Sequence, residues 1–121
     1  MHKIEVLAIH HIQLAMPAGQ EEKARAFYQG RLGLTEVEKP GELAARGGVW
    51  FEGQGMKIHL GVDPEFAPAK KAHPALSVAD LGKCFSALTD ITVSDISSLP
   101  GIERFYVADP FGNRIEILAE T

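Results

Sequence analysis

The chain is poor in cysteine, in long apolar runs and in basic excess, and each shortage removes a class of protein. One cysteine, Cys84, leaves no intrachain disulfide to form. A disulfide-stapled secreted scaffold is thereby excluded, and a reducing cytoplasm is the expected compartment. Cys84 itself reads as a buried, inert thiol of a helix. No stretch approaches the roughly 20 consecutive apolar residues that cross a bilayer. The opening MHKIEVLAIHHIQ also lacks the apolar run of a signal peptide, so no membrane partner is expected. Twelve Lys and Arg stand against 16 Asp and Glu, a net charge of −4, and only Lys70-Lys71 places two basic residues together. A nucleic-acid partner would call for a basic face, and none is expected. What remains, 121 residues at 45% hydrophobic and 23% charged, is a globular chain with room for one core and not two.

Within it, one order of patterns occurs twice. Residues 8–15, AIHHIQLA, alternate as a half-buried strand and break at Pro17-Ala18-Gly19. Ala24, Phe27 and Tyr28 then fall at helical spacing over 21–29, and Gly30 and Gly33 close the helix. Residues 47–52 and 56–62 are two further strands around the turn-prone Gly53-Gln54-Gly55. The second half opens with a strand at 73–78. Leu81, Cys84, Phe85 and Leu88 follow at i, i+3, i+4 and i+7, an amphipathic helix with Asp80 at its N-cap. A weak β run at 91–93 precedes a hairpin of 104–108 with 113–118. Its turn, Asp109-Pro110-Phe111-Gly112, has the residue preferences of type I. The expected architecture is therefore α+β, one domain over 1–121: a first β-α-β-β-β repeat at about 8–62, a linker at 63–72 and a second repeat at about 73–119.

The repeat aligns chemistry as well as pattern. Gly55-Met56-Lys57-Ile58-His59-Leu60 lies on Gly112-Asn113-Arg114-Ile115-Glu116-Ile117, and His11 opens its strand as His73 opens its own. Three of the five histidines, at 11, 59 and 73, thus share equivalent places with Glu116. Strand parity puts His11, His59 and Glu116 opposite an apolar face, and the repeat sets His73 where His11 stands, which leaves the four for a site between two curved sheets. Three imidazoles and one carboxylate would suit Zn, Ni, Mn, Fe or Co. His2 reads as terminal, and His10, adjacent to His11, as pointing to the opposite face.

The strings HIQLAMP, AFYQGRLGL, KIHLGVD, HPALSVADL and FYVADPFGNRIEIL resemble the vicinal oxygen chelate superfamily, the glyoxalase, bleomycin resistance and extradiol dioxygenase group, over about residues 8–119. ADPFGNRIEIL is the most specific of them, and the spacing from AFY to LGL is nearly as telling. The resemblance implies paired β-α-β-β-β repeats forming curved mixed sheets around a cup-shaped metal site, with helices outside. It places His11, His73 and Glu116 on the metal ligands of a two-histidine, one-glutamate site. His59 falls where bacterial glyoxalase I carries a glutamate as fourth ligand. This chain therefore departs from that enzyme, with one carboxylate where it has two, and a strict lactoylglutathione lyase is a minority reading.

What the resemblance implies for activity is a metal-dependent lyase, dioxygenase or transferase acting on a small molecule with adjacent oxygens. One divalent ion would serve as Lewis acid to an oxyanion or enediolate, with Glu116 as base. Tyr106 is the expected orienting residue. Gln13 shares the face of His11, Arg46 and Arg104 are candidates for an anionic group, and Trp50 for an apolar wall. Such short chains commonly pair as homodimers, with the ligands drawn from one chain or from two. The alternative is a metal-free binding protein of the bleomycin-resistance type that sequesters a planar ligand.

Overall fold

A computed structural model describes residues 2–121, and its secondary structure is the same α+β pattern in two halves. In the first half, β1 (Ile12–Met16), α1 (Glu21–Ala24), β2 (Thr35–Val37), α2 (Gly41–Ala44), β3 (Val49–Gly53) and β4 (Met56–Val62) give a sheet of order β1-β4-β3-β2. In the second, β5 (Ala75–Ser77), α3 (Leu81–Ala87), β6 (Ser97–Leu99), β7 (Ile102–Ala108) and β8 (Arg114–Glu120) give the order β5-β8-β7-β6. Each sheet has one parallel pair, β1 with β4 or β5 with β8, and antiparallel pairs elsewhere. No helix among the described residues is long and apolar enough to cross a membrane.

Alternation decides which face is buried. Ile58 and Leu60 of β4, Phe51 and Val49 of β3 and Met16 of β1 pack with Ala24, Phe27 and Tyr28 from the helical segment. In the second half Ile115, Ile117, Phe105 and Val107 pack with Leu81 and Leu88. Cys84 is half-buried beside this core rather than sealed in it. The opposite face of each sheet carries the polar positions: Gln13, Lys57, His59 and Trp50 on the first, Arg104, Tyr106, Arg114 and Glu116 on the second.

Several local expectations need correction. The first strand begins at Ile12, not residue 8. In the parallel register Ile12 faces Ile58, so only two residues of β4 remain before its turn and the ladder ends. The helix expected over 21–29 is α only to Ala24. Arg25–Gln29 form a π-helical turn, with the Gly30 N–H donating to the Arg25 carbonyl at 3.0 Å. Consecutive Phe27 and Tyr28 are both buried there, which a wider turn accommodates. Residues 91–93 supply one bridge, Thr92 to Val107, and the ladder forms instead at β6. The N-cap at Asp80 is as expected: its Oδ1 accepts from the Lys83 N–H at 3.0 Å.

Two local devices tie the halves and the loops. Asp109 is buried, and its Oδ1 accepts from the backbone N–H groups of Phe111 (2.9 Å) and Asn113 (2.8 Å). Its Oδ2 accepts from the Tyr28 hydroxyl (2.7 Å) and from Asn113 Nδ2 (2.8 Å), and Asn113 Nδ2 also donates to the Ala15 carbonyl (2.8 Å). Burial, and then the Asp109 charge, push the Tyr28 hydroxyl pKa far above its ordinary value, so it stays a donor. Gly48 has φ +84°, and a Cβ there would stand 2.2 Å from the Leu60 carbonyl oxygen, so no side chain fits. Tyr28→Phe deletes a buried donor and leaves the carboxylate short of a partner. It is expected to cost about 1–3 kcal/mol in urea unfolding monitored by circular dichroism. A cost below about 0.5 kcal/mol would show that the Tyr28–Asp109 bond does not hold the halves together.

Candidate functional site

The registers make the predicted equivalence exact in topology. Gln13 of β1 faces His59 of β4, and His59 also faces Trp50 of β3. Ala75 of β5 faces Glu116 of β8, and Glu116 also faces Tyr106 of β7. His11 stands two residues before Gln13 as His73 stands two before Ala75. Each half thus sets a histidine just ahead of its edge strand, beside a ligand candidate on the neighbouring strand.

In the first half the aromatic rings form a stack. The His59 imidazole lies between Trp50, at 3.9 Å and 4°, and His11, at 4.3 Å and 21°. His10 approaches as well, its Nδ1 2.9 Å from His11 Nδ1. The strand-parity expectation for His10 therefore fails: both residues precede the ladder, where parity does not apply, and both border the same cavity of about 540 Å³. Burial, and secondarily the neighbouring His11 and His10, hold the His59 pKa below the usual imidazole value. An imidazole binds a metal through a lone pair in its own plane. Two rings stacked nearly parallel cannot direct those lone pairs at one ion, so joint ligation by His11 and His59 requires one ring to turn.

The second half places a different pair. His73 Nε2 lies 3.0 Å from Glu116 Oε1, and His73 Nδ1 lies 2.9 Å from the Lys71 carbonyl oxygen. A carbonyl only accepts, so Nδ1 carries the proton of that bond. Nε2 and the carboxylate oxygen then face one another across 3.0 Å. Glu116 is buried; its Oε2 is 3.5 Å from an Arg104 terminal nitrogen. The Tyr106 ring meets His73 edge-on at 5.3 Å, while its backbone N–H donates to Ser94 Oγ at 2.8 Å.

Within the single chain the four ligand candidates form two pairs, not one cluster. Among the described residues no three His, Cys, Asp or Glu side chains gather as a metal site. Trp50, the candidate for an apolar wall, gives its face to His59 and borders the same 540 Å³ cavity. Gln13 borders both the 540 Å³ cavity and a hollow of about 350 Å³ that also touches His73 and Arg114. Arg46 is exposed in the first half, beside Gln13 and Trp50, while Arg104 stands on the second sheet. Arg114 was not foreseen as a site residue. Its guanidinium carbon lies 4.0 Å from the Tyr106 ring centroid, and its place two residues before Glu116 was the available signal.

Comparison with known proteins agrees with this architecture. The sequence profile of the Glyoxalase/Bleomycin resistance protein/Dioxygenase superfamily matches residues 8–117. Among curated proteins no sequence matches. A glyoxalase family protein from Bacillus anthracis is similar at 43% identity and TM-score 0.91, over 99% of this chain and 100% of that one. A genomically encoded fosfomycin resistance protein from Listeria monocytogenes shares the fold at 15% identity and TM-score 0.78, over 97% and 96%. A lactoylglutathione lyase from Agrobacterium tumefaciens does so at 22% identity and TM-score 0.69, over 95% of each chain. With the profile covering nearly its whole length, the chain belongs to the Glyoxalase/Bleomycin resistance protein/Dioxygenase superfamily.

Proposed function

We propose that this protein is a metal-dependent glyoxalase-like enzyme whose site is assembled from two copies of the chain. The observation that carries the reading is the His73–Glu116 pair, two electron-pair donors 3.0 Å apart with the imidazole tautomer fixed by the Lys71 carbonyl. A metal-ligating histidine is ordinarily held in this way through its second nitrogen. The donor set, a partly exposed imidazole with a buried carboxylate, fits a divalent transition ion such as Zn, Ni, Mn, Fe or Co. His73 and Glu116 would hold it from one subunit and His11 from the other, with His59 a fourth ligand if its ring leaves the Trp50 stack. When bound, the ion supplies Lewis-acid stabilisation of negative charge on a small substrate with adjacent oxygens. Glu116 is the one carboxylate placed to accept a proton from such a substrate, and Tyr106 orients it.

A second copy is favoured by what the single chain leaves uncovered. Among the described residues of one chain, His11 and His59 do not gather with His73 and Glu116. Residues 2–11, ahead of β1, have no ladder partner among the described residues, and Ile4, Val6, Leu7 and Ile9 are each at least 80% exposed. Both β1 and β5 are sheet edges. A two-fold pairing that sets the first half of one chain against the second half of its partner would join the two kinds of half-site and cover this arm. The Trp50–His59–His11 stack beside a cavity of about 540 Å³ favours one alternative, a metal-free protein that sequesters a planar ligand.

Elemental mass spectrometry on untagged protein, purified without chelator, should find a transition metal near one per chain, lost in His11→Ala and Glu116→Ala. Protein that stays metal-free after reconstitution with all five ions would leave the sequestering reading. Shared sites make a sharper prediction for a mixture of those two variants. Each heterodimer has one intact site, with His11 from the Glu116→Ala chain and His73 and Glu116 from the His11→Ala chain. Isolated heterodimer should therefore recover about half of the native metal, whereas ligands drawn from one chain would recover none. Removal of residues 2–9 should shift sedimentation of micromolar protein from dimer toward monomer, and an unchanged dimer would assign the contact elsewhere.

A further inference from the structure

Two guanidiniums share the open face of the second sheet with the His73–Glu116 pair. The β7–β8 register sets Arg104, Tyr106, Arg114 and Glu116 on one side of that sheet. Arg114 lies over the Tyr106 ring at 4.0 Å, and no carboxylate among the described residues comes within ion-pair range of it. Contact with the ring uses none of its five N–H donors. Arg104 lies 5.5 Å from the same ring and meets one carboxylate, Glu116, at 3.5 Å, too long for a good hydrogen bond. Its Nε is buried and has no acceptor at all. A desolvated guanidinium N–H without a partner is unfavourable, so Arg104 gains from an acceptor toward which its side chain can turn.

Around the Tyr106 ring the charge is also one-sided. Two arginines stand against Glu116, which already faces His73, while Glu120 of the same face lies at the far end of β8 opposite Ile102. The register sets the two arginines on either side of Tyr106 along the sheet, each near its ring and each with the planar donor fork that carboxylate and phosphate oxygens match.

We infer that Arg104 and Arg114, held against Tyr106, bind an oxyanion group of the substrate, a carboxylate or a phosphate. The inference deepens the enzyme reading above and rests on it only for the word substrate, because the anion site needs no metal. It fixes the charged end of the molecule at Arg114 and Tyr106, and brings the remainder toward His73 and Glu116. If Glu116 turns to an ion, Arg104 loses its only carboxylate and becomes free to close on the anion.

The test is calorimetric titration of inorganic phosphate and of acetate into chelator-treated and metal-loaded protein, comparing the native chain with Arg104→Met, Arg114→Met, Arg114→Lys and Arg31→Met. Arg31 pairs with Asp90 and serves as the control. Native protein and Arg31→Met should bind saturably and alike. Each of the other methionine variants should bind about tenfold to a hundredfold more weakly, the loss for one charge-assisted fork. Arg114→Lys should fall between, since it keeps the charge and loses the fork. Should Arg104→Met fail to fold, the two Arg114 variants decide alone. Absence of saturable binding, or binding indifferent to Arg114, overturns the inference, and the better of the two probes tells phosphate from carboxylate. Metal content measured on the same samples separates the two readings. Arginine-dependent anion binding in protein that never takes up metal removes only the metal, and metal uptake without it removes only the anion site.

Discussion

The Asp109 carboxylate holds the two halves of this chain in one arrangement. It is buried, and it accepts four hydrogen bonds: two from the turn it begins, one from Asn113 and one from Tyr28 across the chain. The turn bonds fix the β7–β8 connection, the Tyr28 bond attaches the helical segment of the first half, and Asn113 carries the link on to the Ala15 carbonyl in β1. A buried carboxylate with fewer donors would be unfavourable, so turn, helix and edge strand have to form together. The π-helical turn at Arg25–Gln29 belongs to the same constraint, since it is what brings Tyr28 inward next to Phe27.

With that contact in place, the polar faces of the two sheets follow from alternation alone. On β8, Ile115 and Ile117 go to the core and Arg114 and Glu116 to the open face; on β4, Ile58 and Leu60 go inward and Lys57 and His59 outward. The site is therefore a by-product of packing: nothing beyond the apolar partners of its neighbours is needed to aim His59 or Glu116. What the core does not determine is the pose of the rings themselves. His59 is set by the Trp50 stack, and His73 by the Lys71 carbonyl.

Most of this was legible in the sequence because most of it is local. The helix N-cap at Asp80, the turn at Asp109, and the pairing of His59 with Glu116 in equivalent positions all rest on residues within a few places of one another. Short elements escaped: Thr35–Val37, Gly41–Ala44 and Ser97–Leu99 are three or four residues each, and periodicity has nothing to repeat at that length. The early end of β1 escaped because ladder length is set by the partner, and β4 runs out at Met56. Arg114 was within reach by parity with Glu116, yet an arginine beside a conspicuous ligand candidate reads as ordinary surface. The division of the four ligand candidates into two pairs was not legible, because alternation says which residues share a face and never which faces oppose.

The matched registers carry unlike donors: an imidazole pair stacked on an indole in one half, an imidazole with a carboxylate and two guanidiniums in the other. A backbone frame that looks the same from either side is thus chemically directional. Where a pairing of chains set one half of each kind face to face, a molecule between them would meet an aromatic wall at one end and a charged polar wall at the other. A molecule with an apolar end and an anionic end would then lie only one way round, so the divergence of the two repeats gives polarity to a frame that has none of its own.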